Sequence, residues 1–558
     1  MLKITYCPFG DEKKKITISE SDNNVVIEVK KVNNRETVVL KALNDIMLYQ
    51  AENSLDVEFD PKSKFFLNGY QSWTDTKECY LYEYERIARR AKRFFKKNRK
   101  NDTFNKTRDF LVNKYAFDRY GDVLFYEYDK NKLHGYDVFY IKGDMEFFSF
   151  NYNFKNAFLV YEVFRKENKL NIVSGIRKYR IKKGDEFTVF DYSLFDSYKE
   201  GLASFYELFK EKDTNKIFGY TSWYNYYQNI NEEIILRDLA GLDSRFNLFQ
   251  IDDGYETYVG DWFDIDEEKF PNGLKGIVDR IHERGFKAGI WLAPFVAEEK
   301  SRLFREHTNY FKRDNKGNLI KCGGNWSGFY VLDMNNKDAM EYVRKSLQFY
   351  LDLGFDFFKL DFLYAISLPR YYNRTKAMAT DIAYKFIRDI LGDKLILGCG
   401  AIPSISALYF DYLRVGPDVS LIFDDIWYMK YAHRERISTK ITLQNTIYRS
   451  IFNKHLFLND PDVFLLRDDN ISLSAEQKRA LLTINSLFGS VLMTSDNIAN
   501  YDEEKNKMLD QAFDMFYHAS DVQFKRIDNK ILIDYKLSDK DYSIIYDPEE
   551  GVLIHGQD

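Results

Sequence analysis

The chain has 558 residues, of which 45% are hydrophobic and 30% charged, with a formal net charge of −5. That length implies roughly two to four domains with sizeable cores, and the mildly acidic balance gives no reason to expect nucleic acid as a partner. No run of 18 apolar residues occurs and the first residues hold no apolar leader core, so neither a membrane partner nor secretion is expected. Cys7, Cys79, Cys322 and Cys399 are scattered without CxxC or metal-like spacing, which suggests reduced thiols, no metal and a cytoplasmic setting. Aromatic residues reach 17%, with 42 Tyr and 47 Phe. Flat rings pack well on the C–H faces of sugars, but biased base composition produces the same excess.

From residue 1 to 205 the pattern is short and alternating, as in Ile16–Ser19, Asn24–Val29, Asp137–Ile141 and Phe187–Phe190. Polar turns such as Ser21-Asp22-Asn23-Asn24 separate these runs, and the absence of long helices between them predicts an antiparallel β-sandwich. A basic run, Arg89, Arg90, Lys92, Arg93, Lys96, Lys97, Arg99 and Lys100, interrupts it. It has the composition of an interaction patch, but an acidic chain favours a solvated loop or face. A helical stretch near Gly201–Lys212 leads into the next segment.

Between residues 206 and 500 the rhythm changes to apolar strands alternating with amphipathic helices. The strands are expected at Ile217–Trp223, Asn247–Ile251, Phe286–Leu292, Phe355–Asp361, Lys394–Gly398, Tyr412–Val415, Leu456–Asn459 and Val491–Thr494. Helices at Gly276–Arg284 and Asp338–Leu353 each stop at a glycine, Gly285 and Gly354, suited to a C-cap. Eight such repeats make a (β/α)8 TIM barrel. Residues 501–558 hold a helix, Asp502–Tyr517, and short strands at Ile531–Tyr535, Tyr542–Tyr546 and Val552–Ile554, a small C-terminal β domain. The fold class is thus multidomain α/β: sandwich, barrel, β appendage.

Catalytic groups of such barrels sit at the C-terminal ends of the strands. Strand four delivers Lys359 and Asp361, two residues apart and therefore on one face. A buried salt bridge is the plain alternative, and Lys359 is expected to depress the acidity constant of Asp361 and keep it ionised. Strand two ends in Asp252-Asp253-Gly254, an adjacent carboxylate pair that repels itself but suits vicinal hydroxyls. Strand three supplies Trp291, either a core residue or a sugar platform. Strand five opens into Gly398-Cys399-Gly400-Ala401, which lacks the full dinucleotide spacing. Strand six gives Arg414-Val415-Gly416-Pro417-Asp418, and strand seven Asn459-Asp460-Pro461-Asp462.

Neither HExxH nor GxSxG occurs. Carboxylates without metal ligands or a cofactor fingerprint fit glycoside cleavage, which needs one carboxylate and one carboxylic acid. Asp361 is the candidate nucleophile; spacing alone leaves Asp418, Asp462 and Asp252 as candidates for the acid.

The barrel resembles a glycoside hydrolase of clan D, most closely the family 36 α-galactosidases. The stretches that carry the likeness are Asp252-Asp253-Gly254-Tyr255, Gly260-Asp261-Trp262, Gly289-Ile290-Trp291-Leu292-Ala293-Pro294, Phe358-Lys359-Leu360-Asp361-Phe362, Arg414-Val415-Gly416-Pro417-Asp418-Val419 and Asn459-Asp460-Pro461-Asp462. In the first segment Asn68-Gly69-Tyr70-Gln71-Ser72-Trp73 adds to it. The resemblance implies Asp361 as nucleophile, Asp418 as acid/base, and Lys359, Asp252, Asp253 and Arg414 as holders of galactose hydroxyls. It further implies Trp291 and Trp223 as pocket walls, Cys399 near O2, and Trp73 as an aromatic lent by the N-terminal domain. It implies no cofactor, an α-galactoside substrate and retention of configuration, with the carboxyl groups about 5–6 Å apart. Some members of the family oligomerise, so a homo-oligomer stays open. The strand-five loop departs from the Cys-Ser-Gly-Gly-Gly of many members and leaves an α-N-acetylgalactosaminidase as the alternative. A non-catalytic sugar-binding protein, motivated by the basic run, is the reading from a different class.

Overall fold

The computed structural model describes residues 1–60, 62–83, 122, 131–212, 215–369, 371, 373–424 and 434–555. The basic run Arg89–Lys100 lies outside the described residues.

Period-two burial builds the N-terminal part. In the strand Arg35–Ala42, Glu36, Val38, Leu40 and Ala42 are buried while the residues between them are not, because successive side chains point to opposite faces. Two antiparallel layers result. One is a seven-stranded sheet; the other joins a four-stranded and a three-stranded sheet through the bridges Phe148–Phe195 and Asn151–Tyr192. Ile4, Leu48, Tyr161 and Ile172 from the first layer meet Leu40, Phe139, Ile141 and Phe190 from the second in one apolar core.

At Ile217 the pairing turns parallel. Strands one to six are Ile217–Thr221, Leu248–Ile251, Lys287–Leu292, Phe357–Leu360, Leu395–Gly398 and Tyr412–Arg414, each hydrogen-bonded to the next. They are buried almost throughout, as expected of strands covered on both faces. Strand seven is broken. Leu458–Asp460 pairs with strand six and Val463–Phe464 with strand eight, Val491–Thr494. Pro461 has no N–H to give to a ladder, and Asp462 sits at φ 75°, so the chain steps sideways there. Strand eight pairs with strand one, closing the ring. All eight expected strands are present; the first six are shorter than expected by one to three residues, strand seven starts later and runs on to Asp460, and strand eight has the expected bounds.

The helices follow local capping chemistry. Lys337–Leu353 begins at Asn336, whose side chain accepts from Asp338 and Ala339 N–H, and ends at left-handed Gly354, φ 97°. Ala475–Phe488 opens with a reciprocal Ser474–Gln477 capping box. Glu503–His518, capped by Asp502, lies against Ala475–Phe488. A four-stranded antiparallel meander, Ser520–Ile527, Lys530–Leu537, Lys540–Asp547 and Val552–His555, completes the chain. Its first strand is absent from the sequence-based expectation because five of its eight residues are charged or polar.

One connection matters for the site. After the strand Lys64–Leu67 the sandwich sends Asn68–Thr76 onto the end of the barrel. Ser72 N–H donates to Ala401 O (2.8 Å) and Ala401 N–H returns to Ser72 Oγ (3.2 Å). The buried Arg449 guanidinium donates to the carbonyls of Gln71, Ser72 and Val415. Gly69 is required here: a Cβ would stand 2.4 Å from Thr74 Cβ.

Candidate active site

The strand ends gather at one mouth of the barrel, and two charged knots form its floor. In the first, Lys359 Nζ donates to Asp252 Oδ2 at 2.8 Å, and the same oxygen accepts from Gln250 Nε2 at 2.7 Å and Thr221 Oγ1 at 3.2 Å. Burial is the largest influence and disfavours the Lys359 cation, yet Asp252, with Cys399 and Asp361, more than offsets it and the ammonium is held protonated. In the second, Arg414 spreads over three carboxylates. Nε meets Asp460 at 2.9 Å, Nη2 meets Asp462 at 2.9 Å and Nη1 meets Asp418 at 3.2 Å. A buried guanidinium survives only with such partners.

Asp361 lies between the knots, 9% exposed. Its Oδ2 accepts from Trp291 Nε1 at 3.0 Å and its Oδ1 from Phe362 N–H at 2.8 Å. The expected depression by Lys359 does not hold. Burial raises the proton affinity of Asp361, Lys359 opposes it, and Asp418 raises it again. The reason is geometric: the lysine spends its short contact on Asp252, so its pull on Asp361 is the weaker force. The simple salt bridge between Lys359 and Asp361 is likewise not formed.

The other expected residues fall around this floor. Asp253 accepts from Gln228 Nε2 at 3.0 Å and from Trp326 Nε1 at 2.9 Å. Trp291 stacks edge-on against Trp262 and Trp326. Cys399 is fully buried, and burial pushes its thiol well above the ordinary value. Trp73 arrives from the sandwich within the same chain. Its Nε1 approaches Cys399 Sγ at 3.3 Å, and its ring meets Phe362 and Tyr364 edge-on. Gly400, at φ 58°, makes room for it, since a Cβ there would lie 3.0 Å from the indole. Trp223 opens the short helix after strand one and is half-buried, edge-on to Tyr227.

Among the acid candidates, exposure discriminates. Asp462 is 1% exposed, its carboxyl tied down by Tyr224 Oη–H, Val419 N–H (2.7 Å) and Arg414. Burial, against Arg414, pushes it up to about 7. So enclosed, it cannot present a proton to a substrate. Asp252 is locked by Lys359. The Asp418 side chain, 30% exposed, is the most open of the three.

Sequence reasoning missed three contributors. Trp326 sits in a glycine-rich turn, Gly323-Gly324-Asn325-Trp326-Ser327-Gly328, at φ 53°. A lone indole in such a turn is its only sequence signal. Tyr224, fully buried beside Arg414 and Asp462, and Glu256, buried behind Asp253, follow motif residues but have no periodic signature.

Residues 208–392 match the Melibiase protein family. A 154-residue stretch, 26% of the chain, is 29% identical to α-xylosidase XylQ of Lactiplantibacillus pentosus and covers 20% of it. A stretch of 142 residues, 22% of the chain, is 30% identical to α-galactosidase 1 of Pediococcus pentosaceus and covers 18% of it. These matches span about a fifth of the length of the curated relatives. Across nearly the whole chain the fold matches the solved α-galactosidase TtGalA of Thermus thermophilus, with TM-score 0.66 and 22% identity over 92% of this chain and 98% of that one. No helix among the described residues is long and apolar enough to cross a membrane. Motifs, ring and comparisons converge on one likeness: residues 208–392 are similar to the melibiase family, and the fold is that of solved α-galactosidases.

Proposed function

We propose that the protein is a retaining exo-glycosidase that removes terminal α-D-galactosyl residues by double displacement. One observation carries this reading. An enclosed carboxyl, Asp361, held at 3.0 Å by Trp291, and a more open one, Asp418, held at 3.2 Å by Arg414, stand after strands four and six of one barrel, beside cations and carboxylates suited to hydroxyl groups. Asp361, aligned by Trp291 and Phe362 N–H, attacks the anomeric carbon while Asp418 protonates the departing oxygen. Asp418 then takes a proton from the water that releases the sugar. Lys359, Asp252, Asp253 and Arg414 hold hydroxyls, and Trp291, Trp326, Trp223 and Trp73 form apolar walls.

Trp73 favours galactose over its 2-acetamido analogue. The strand-five loop, which the family resemblance turns towards the 2-substituent, is filled by the indole packed on Gly400 and Cys399. Trp73 comes from the same chain, so this wall of the pocket needs no second subunit. The three-part division at residues 205 and 500, and a cytoplasmic site of action suited to four buried free cysteines, belong to the same proposal. Hydrolysis of paired nitrophenyl α-galactoside and α-N-acetylgalactosaminide tests it. The galactoside should be cleaved with the higher kcat/KM; preference for the acetamido sugar would reverse the assignment.

A further inference from the structure

The turn that carries Asp252 and Asp253 buries a carboxyl with no assigned work. Gly254, at φ 120°, packs so closely on Gln228 that a Cβ would fall 2.7 Å from its Cα. This fold-back brings Glu256 behind Asp253, with the Glu256 backbone bridged to Ile265. Glu256 is 4% and Asp253 3% exposed. Glu256 Oε2 accepts from Gly254 N–H at 3.3 Å, while Oε1 meets no N–H or O–H donor among the described residues. The carboxyl facing it is that of Asp253, within hydrogen-bonding contact.

Among the described residues no cation forms an ion pair with either carboxyl. Lys269 Nζ donates to the carbonyls of Gln228 and Gly254, both at 3.0 Å. Lys359 is taken by Asp252. The neighbouring phenols of Tyr255 and Tyr350 donate to the carbonyls of Trp291 and Trp262. Two touching anions in so dry a place cost far more than one anion and one acid. A single proton between them removes the repulsion and satisfies the orphan oxygen.

We infer that Glu256 is a positioning residue: it shares one proton with Asp253 and thereby fixes the Asp253 carboxyl, between Gln228 and Trp326, where it meets a sugar hydroxyl. The direction of the acidity shifts agrees. Burial raises the proton affinity of both groups, and the Asp253 charge raises that of Glu256 further. The second half of the inference rests on the α-galactosidase reading; the shared proton does not.

The test uses the full chain with Glu256→Gln and Asp253→Asn. Infrared difference spectra at neutral pH should show the carbonyl stretch of a neutral carboxylic acid in the wild type, weakened in both variants. A wild-type-minus-variant difference spectrum that lacks this band for both variants overturns the shared proton. With p-nitrophenyl α-galactoside, Glu256→Gln should raise KM by about tenfold, the scale of one misplaced charge-assisted hydrogen bond, and lower kcat less. Equal KM in a folded Glu256→Gln protein overturns the positioning role, since a merely structural glutamate would shift only the melting curve. The wild type should also lose stability relative to Glu256→Gln as pH rises, because the native pair keeps a proton that the unfolded chain has released. Loss of the acid band without galactosidase activity in any form would refute the function while leaving the shared proton standing.

Discussion

The indole N–H of Trp291 offers the sharpest test of how Asp361 is prepared. Trp291→Phe keeps a buried ring against Trp262 and Trp326 and deletes one donor, 3.0 Å from Asp361 Oδ2. What remains is the single N–H of Phe362 at 2.8 Å. A hydrogen bond to a buried charged group is worth about 1.5–3 kcal/mol. That converts to roughly one to two pH units on the carboxyl and a 10- to 150-fold loss in kcat/KM. The sign follows from the geometry. The donor favours the carboxylate, so its loss raises the proton affinity of a group already raised by burial. The acidic limb of the kcat/KM profile should therefore move to higher pH, with activity partly restored above it. The assay is hydrolysis of p-nitrophenyl α-galactoside across pH, alongside a thermal melt. A variant that melts normally yet keeps its acidic limb and its kcat/KM within twofold would refute the reasoning.

Asp418→Ala should be least impaired on substrates with good leaving groups, because those need no proton donor; uniform impairment across a leaving-group series would remove its acid role. Arg449→Met leaves the carbonyls of Gln71, Ser72 and Val415 without their donor. It should cost about 3–5 kcal/mol in denaturant unfolding, with the Trp73 loop the first part released. Gly400→Ala puts a Cβ 3.0 Å from Trp73 at φ 58°. It should lose about 1–2 kcal/mol of stability and shift tryptophan fluorescence as the indole is displaced. Asp462, raised to about 7 by burial, keeps its proton after an unfolded aspartate has lost it, so its contribution to stability falls as pH rises from about 4 to about 7. Asp462→Asn should flatten that slope in chemical denaturation; an unchanged slope would contradict it.

Much of this architecture was legible because periodicity reports burial. The alternation of Arg35–Ala42 and the near-solid apolar run Phe357–Leu360 each carry their layer in the residue order. The strand-end charges were legible too, since aspartates and a lysine in such runs are too costly without a task. Their partners were not. Lys359 finds Asp252 across 107 residues, and only the closed ring decides that it serves Asp252 before Asp361. The acidity of Asp361 follows from desolvation, a property of the assembled pocket rather than of its neighbours in sequence. Trp326 and Glu256 escaped because a turn has no period; their importance lies in which atom of Asp253 they meet.

The central claim is that Asp361 forms a glycosyl intermediate which Asp418 helps to resolve. Proton NMR of the first galactose released from p-nitrophenyl α-galactoside tests it most directly. Two displacements predict the α-anomer first, with none released by Asp361→Ala. The β-anomer first, or undiminished release by that variant, would contradict the account.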